Sequence, residues 1–227
     1  MLLHIPDILT AEEVAHCNAV LRAADWVDGR ATAGDQSGRA KHNLQVAEDA
    51  PETGPLGEII LRALGNNPQF MSAALPTRVY PPLFNRYVDG MAFGNHIDNA
   101  IRISPVTAAR YRTDLSCTIF LTAPEDYDGG ELVIEEGNLP RRVKLPAGHM
   151  VLYPASTVHR VEPVTRGERW ASFFWIQSLV EDQGRRALLY QLDQAIIGAR
   201  ASLTDDHPSS VALVGTYHNL IRMWARD

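Results

Sequence analysis

Asp128-Gly129-Gly130-Glu131-Leu132-Val133-Ile134-Glu135-Glu136, then Pro146-Ala147-Gly148-His149-Met150-Val151-Leu152-Tyr153, then Thr157-Val158-His159-Arg160-Val161 and Thr165-Arg166-Gly167, form the stretch that decides the fold. Its apolar runs are short and carry β-branched or aromatic residues. Each is bounded by Gly or Pro, which break strands and supply turn backbone. Runs of the same kind extend on both sides, at about 76–80, 84–89, 112–122, 130–136, 141–145, 149–153, 157–161 and 169–179. Strands so closely spaced leave no room for crossover helices. They predict an antiparallel sandwich or jelly-roll barrel, not a βαβ fold.

Working outward, the character turns helical at both ends. Thr10 and Glu13 have the spacing of a capping box, which predicts a helix over about 11–24. Residues 28–40 read as turn or loop, and Lys41–Val46 as a short strand. A second helix is expected from Pro55 to Leu64, stopped at Gly65. Beyond 183, Leu188, Leu189, Leu192, Ile196 and Ile197 recur at helical spacing, and a last helix covers about 209–225. The expected class is α+β, a jelly-roll core with flanking N-terminal and C-terminal helices. Its expected division is 1–77, a helical and mixed region packing on the core; 78–178, the core; and 179–227, a helical extension.

With 227 residues and a net charge of −6, the chain can build its own core and shows no basic patch for nucleic acid or an anionic membrane. Two cysteines, Cys17 and Cys117, stand far apart, which speaks against a disulfide framework. The N-terminus lacks a basic, then apolar, leader, and no run is long enough to span a bilayer. The expected compartment is the cytoplasm. The apolar stripe and the aromatics near the C-terminus suit core packing or a homodimer.

The chemistry concentrates in Gly94-Asn95-His96-Ile97-Asp98 and in His159, with Arg169 ten positions further on. Along a strand, residues i and i+2 share a face, so His96 and Asp98 converge if this segment is extended. Two imidazoles and a carboxylate can take one face of an octahedral Fe(II), leaving open positions for substrate and oxygen. Structural zinc prefers four ligands, usually with thiolates, and no cysteine is near in sequence. A zinc hydrolase could use the same three residues but has no use for an arginine at that offset. Arg169 offers a planar fork of donors suited to a carboxylate. Arg160 and Arg166 are alternatives in the same stretch. Tyr87 is either a core strand tyrosine or a second donor to the same ligand.

Asn85–Asn99, Asp114–Leu121, Tyr127–Leu132, Leu145–Gly148, Phe174–Ser178 and Tyr217–Trp224 together resemble the Fe(II)- and 2-oxoglutarate-dependent dioxygenases. They lie on the prolyl and lysyl hydroxylase side, and in particular resemble the bacterial PKHD-type hydroxylases. The resemblance implies a double-stranded β-helix core over about 78–178. It implies Fe(II) on His96, Asp98 and His159, and the distal carboxylate of 2-oxoglutarate on Arg169. It also implies L-ascorbate as reductant, and hydroxylation of a substrate coupled to decarboxylation of 2-oxoglutarate to succinate and CO2. Retention of Asp98 favours hydroxylation, since halogenating relatives replace that carboxylate by a small residue. Phe93 departs from the Tyr that animal prolyl hydroxylases often carry. A non-catalytic iron or 2-oxoglutarate sensor linked to iron homeostasis is the alternative.

The substrate, a small molecule or a peptide or protein side chain, is not legible. Residues 99–111 form a long connection of the kind that makes lids. Arg102, Arg110 and Arg112 there could present positive charge to an anionic substrate, or simply face water. Lys41, Asn43 and Gln45 alternate, so they would share one face, lining a pocket mouth or facing solvent.

Overall fold

The computed structural model describes residues 1–32, 35–137 and 139–226. Two antiparallel sheets face each other. The larger runs in the order Leu3–Ile5, Met150–Pro154, Leu115–Phe120, Glu168–Ser178, Leu83–Val88, Leu44–Val46, Trp26–Asp28, with Pro76–Val79 paired to the far end of Glu168–Ser178. The smaller runs Leu139–Val143, Leu132–Glu136, His159–Val161, Ala92–His96, Lys41–His42. This is a jelly-roll core, with helices Ala11–Ala23 and Thr53–Gly65 on the outer face of the larger sheet and the short helix Asp35–Ala40 against Ala92–His96 of the smaller. Both sheets recruit strands from before residue 78.

The turn glycines of the deciding stretch explain its hairpins. Gly129, Gly130, Gly148 and Gly167 all have positive φ, a region that a Cβ disfavours. At Gly148 a Cβ would also lie 2.5 Å from the carbonyl of Leu9. That closeness is what lets the N-terminal segment reach the turn, where Leu9 donates its N–H to the Gly148 carbonyl.

Alternation divides the larger sheet into two chemistries. Leu115, Cys117 and Ile119 face the helices, as do Trp170, Phe174, Ile176, Met150 and Leu152. They meet Val14, Cys17 and Leu21 of helix Ala11–Ala23 and Leu56, Ile60 and Leu64 of helix Thr53–Gly65. Those spacings put one apolar stripe per helix on the sheet. The alternate residues, among them Ser116, Thr118, Asn85, Tyr87, Arg169 and Phe173, point between the sheets and line a cavity. Elsewhere between the sheets, Phe120, Leu132, Ile134, Val143, Val151 and Val164 fill the interior.

The capping box at Thr10 and Glu13 forms as expected. The expected loop at 28–40 is instead a 3-10 turn, Gly29–Thr32, and a short helix, Asp35–Ala40, with residues 33–34 outside the described residues. A helix at Pro68–Ala74 was not foreseen. It is capped by Asn67, starts with Pro and ends on Leu75 in the left-handed region. Helices Gln183–Arg200 and Pro208–Trp224 close the chain. Among the described residues, no helix is long and apolar enough to cross a membrane.

Candidate active site

His96 ends the strand Ala92–His96, and Asp98 follows two residues past its end. His159 opens the neighbouring strand and pairs directly with His96. One ligand atom from each of the three lies within 4.8 Å of the others, the one such group among the described residues. The two imidazoles are oriented from behind. His96 Nδ1 is 2.8 Å from the Gly94 carbonyl, and His159 Nδ1 is 2.9 Å from the Thr157 carbonyl. A carbonyl can only accept, so each Nδ1 carries the proton and each Nε2 lone pair is left for the centre. His159 Nε2 stands 3.8 Å from Asp98 Oδ2. The Ser116 hydroxyl donates to that same carboxylate oxygen.

The electrostatics suit a cation. Burial, with the His159 ring beside it, pushes His96 down to about 4, so its ring is neutral near pH 7 and able to ligate a cation without first losing a proton. Phe93 stacks on the His96 ring at 3.6 Å between centroids. The phenyl in place of tyrosine thus fixes the ring by its face and adds no polar group.

Arg169 is 1% exposed and lies on the larger sheet directly opposite Tyr87. Its guanidinium carbon is 5.4 Å from the Tyr87 ring centre and 5.1 Å from that of Phe120. Among the described residues, Nε and Nη1 of Arg169 have no hydrogen-bond partner. Arg160 instead pairs with Glu135 and Glu162, and Arg166 with Asp128 on the surface, so neither enters the cavity. Tyr87 is also buried against the cavity, its phenol pushed up to about 12 by that burial.

Sequence reasoning missed Tyr127 and Ser116. The Tyr127 hydroxyl is buried and has no hydrogen-bond partner among the described residues; burial pushes the phenol up, and the charge of Arg169 works against that rise. Gly130 sits between the two: a Cβ there would be 3.0 Å from Tyr127 Cε2 and 3.1 Å from Arg169 Cδ. Its turn position hid Tyr127. Ser116 was readable as a polar residue inside a buried apolar strand.

The polar stripe at 41–45 does not face water. Lys41, Asn43 and Gln45 are 6%, 2% and 1% exposed. Lys41 pairs with the smaller sheet and Gln45 with the larger, so the chain crosses between sheets at Asn43. The Lys41 ammonium reaches Gln45 Oε1 and lies over the Phe93 and Phe173 rings at 5.3 and 5.6 Å. Burial, with Arg102 nearby, lowers it to about 7.

The 99–111 connection is a hairpin, Ile101–Ile103 against Arg110–Arg112. Of its arginines only Arg102 lines the cavity, stacked 4.1 Å from the Trp175 ring centre. Arg112 is bound by Asp114 at 2.7 Å and by the Ser178 carbonyl, and Arg110 is exposed. The three-arginine expectation therefore reduces to one. The non-atom space of the cavity, with the solvent at its open mouth included, is about 730 Å³.

A family model for the 2OG-Fe(II) oxygenase superfamily matches residues 82–177, and one for the PKHD-type hydroxylase C-terminal domain matches residues 183–226. The chain is 59% identical to a PKHD-type hydroxylase of Methylobacterium nodulans, over 99% of each chain. The chain belongs to the PKHD-type hydroxylases. A second relative, from Paracoccus denitrificans, is 57% identical over 99% of each chain. Among solved structures, the viral collagen prolyl hydroxylase of Paramecium Bursaria Chlorella virus-1, in complex with 2OG, superposes with a TM-score of 0.53. It is 18% identical, over 78% of this chain and 95% of that one, a likeness of fold. Membership makes the chain a 2-oxoglutarate-dependent dioxygenase of hydroxylase type, and implies Fe(II) and 2-oxoglutarate as its cofactor and cosubstrate.

Proposed function

We propose that His96, Asp98 and His159 hold Fe(II) and that Arg169, with Tyr87, holds the distal carboxylate of 2-oxoglutarate, so that the chain hydroxylates an organic substrate. One observation carries this reading: a buried guanidinium, two of whose nitrogens have no partner among the described residues, shares a cavity with a metal-type cluster. A buried donor left unsatisfied costs roughly 1–3 kcal/mol. A planar carboxylate supplies the missing acceptors with matching geometry. The three donors of the cluster also fit an iron that needs open positions, being one carboxylate and two imidazoles without a thiolate.

With Fe(II), 2-oxoglutarate and O2 together, the site's chemistry is decarboxylation of 2-oxoglutarate to succinate and CO2, with one oxygen atom passing to a substrate C–H to give C–OH. The chain's own part is positional. Gly94 and Thr157 fix the two imidazoles, Ser116 fixes the carboxylate, and Arg169 fixes the cosubstrate's far end. The apolar filling between the sheets keeps water from the buried end. L-Ascorbate fits as an external reductant that keeps the iron ferrous. The two cysteines are free and buried, in keeping with a reducing cytoplasm as the place of reaction.

The test is direct. Anaerobic Fe(II) plus 2-oxoglutarate should give a weak visible charge-transfer band, and oxygen should then release succinate. His96→Ala and Asp98→Ala should abolish both. Full succinate release in either variant would overturn the assignment, and a band with no turnover across substrates would favour the sensor.

A further inference from the structure

We infer that Arg102, with Lys41 beside it, forms an anion-binding subsite for the primary substrate, which takes a carboxylate carried on an apolar body. This rests on the iron and 2-oxoglutarate reading above. It concerns the opposite end of the same cavity.

The strand Glu168–Ser178 gives the axis. Arg169, Phe173 and Trp175 all line the cavity, and six residues of strand set Arg169 and Trp175 roughly 20 Å apart. Ser116, which holds Asp98, pairs with Trp175 on one side and Tyr153 on the other. The His/Asp cluster therefore stands toward the Trp175 end. A cosubstrate reaching from the cluster to Arg169 fills the inner part of the cavity. What remains for the substrate is the outer part, walled by Trp175, Phe173, Ile97 and Asn99.

Arg102 enters that outer part from the hairpin. Strand alternation turns it inward while Ile101 and Ile103 face out. Its guanidinium carbon lies over the Trp175 ring, 4.1 Å from the ring centre, and 5.2 Å from the Tyr80 ring centre. Glu48 stands 3.7 Å from it and accepts the Tyr80 hydroxyl at 2.6 Å. Arg102 is thus held in place by the two rings and by its ion pair with Glu48. Lys41 approaches the same wall across Phe173. A guanidinium on aromatic faces beside a reaction centre, with the Lys41 amine across Phe173, is suited to a carboxylate whose hydrocarbon part rests on those rings. The grip fixes which C–H faces the metal.

The probe is a matched pair, para-fluorobenzoate and para-fluorobenzamide, followed by fluorine NMR on the chain loaded with Mn(II) and saturating 2-oxoglutarate. The paramagnetic ion should speed relaxation of the benzoate far more than that of the amide. Arg102→Gln should cut the benzoate effect about tenfold, the loss expected for one charge-assisted contact. Arg102→Lys should retain part of it, and Arg110→Gln, exposed on the same hairpin, should retain all of it. Equal response of the acid and the amide, or an undiminished response in a folded Arg102→Gln chain, overturns the subsite. Binding of Mn(II) and 2-oxoglutarate is measured first on each chain. If the parent binds neither, the metal reading fails; if it binds both and the acid gains nothing, only the subsite fails.

Discussion

Removing the Ser116 hydroxyl should weaken metal binding while leaving the fold in place. Asp98 lies past the end of its strand, so no ladder bond fixes its backbone. Ser116 lies in mid-sheet, paired on both sides with Tyr153 and Trp175, and it donates to Asp98 Oδ2. A rigid strand thereby aims a carboxylate that its own segment leaves loose. A hydrogen bond to a charged group contributes about 1.5–3 kcal/mol. At about 1.4 kcal/mol per tenfold, Ser116→Ala should raise the metal Kd roughly 10- to 100-fold, the usual loss when a ligand's supporting partner is removed. The change deletes one oxygen and creates almost no cavity, so the metal-free chain should unfold within about 1 kcal/mol of the parent. Anaerobic titration with Fe(II), or with Mn(II) followed by EPR, measures the first quantity, and denaturant unfolding the second. Ser116→Thr should recover most of the affinity. A folded Ser116→Ala chain with parental affinity would refute the orienting role. If Asp98→Ala also kept its affinity, the ligand set itself would be wrong.

Two further outcomes separate the cosubstrate end from the general fold. Gly130→Ala places a Cβ 2.9 Å from Val164 Cγ2 and about as close to Tyr127 and Arg169, at φ +66. The backbone costs about 1–2 kcal/mol and the crowding about 1–3 kcal/mol. Calorimetric titration should show weaker 2-oxoglutarate binding. Gly137→Ala, also at φ +66 but with open space around it, should lose stability only; equal 2-oxoglutarate affinities in the two variants would contradict this. Lys41→Met tests the buried ammonium. Lys41 is lowered from 10.5 to about 7 in the folded chain, so between those values the unfolded chain holds the extra proton and folded stability rises with pH. Burial of the charge is most costly below about 7. The stability of Lys41→Met relative to the parent should therefore be highest at neutral pH and fall, by about 2–5 kcal/mol, toward pH 10.5. A pH-independent difference in denaturant unfolding would count against it.

Sequence pattern reached the strands after 76 because their apolar runs are bounded by glycines that the fold needs at positive φ. It reached His96, Asp98 and His159 because ligand chemistry restricts residue type and strand alternation restricts spacing. It did not list Ala92–His96 among the strands, since Ala-Phe-Gly-Asn-His has neither β-branched residues nor an apolar run. Lys41, Asn43 and Gln45 were ambiguous for a different reason. Polar residues at period two are the usual mark of a solvent face, and only the crossing between sheets turns this face inward. The hairpin inside 99–111 carries no Asn-Gly or Asp-Gly turn, so the segment read as a loop.

That ambiguity points to how this barrel makes a site at all. A sheet covered on both sides should read as a continuous apolar run, and Leu115–Phe120 nearly does. The exceptions, Ser116 and Thr118, fall on the face away from the helices. Arg169 on the neighbouring strand Glu168–Ser178, and Asn85 and Tyr87 on the strand beyond it, fall on the same face. Each would be costly there if the space between the sheets were packed with hydrocarbon. Toward Leu132, Ile134, Val143 and Val151 it is so packed, and the facing residues are apolar. Where the facing residues turn polar, the sheets enclose a cavity instead. The helices stabilise the larger sheet from outside through Leu115, Cys117 and Ile119. That outside packing frees the inner face of the same strand to carry Ser116 beneath Asp98, so one six-residue run serves stability on its odd positions and the metal-type site on its even ones.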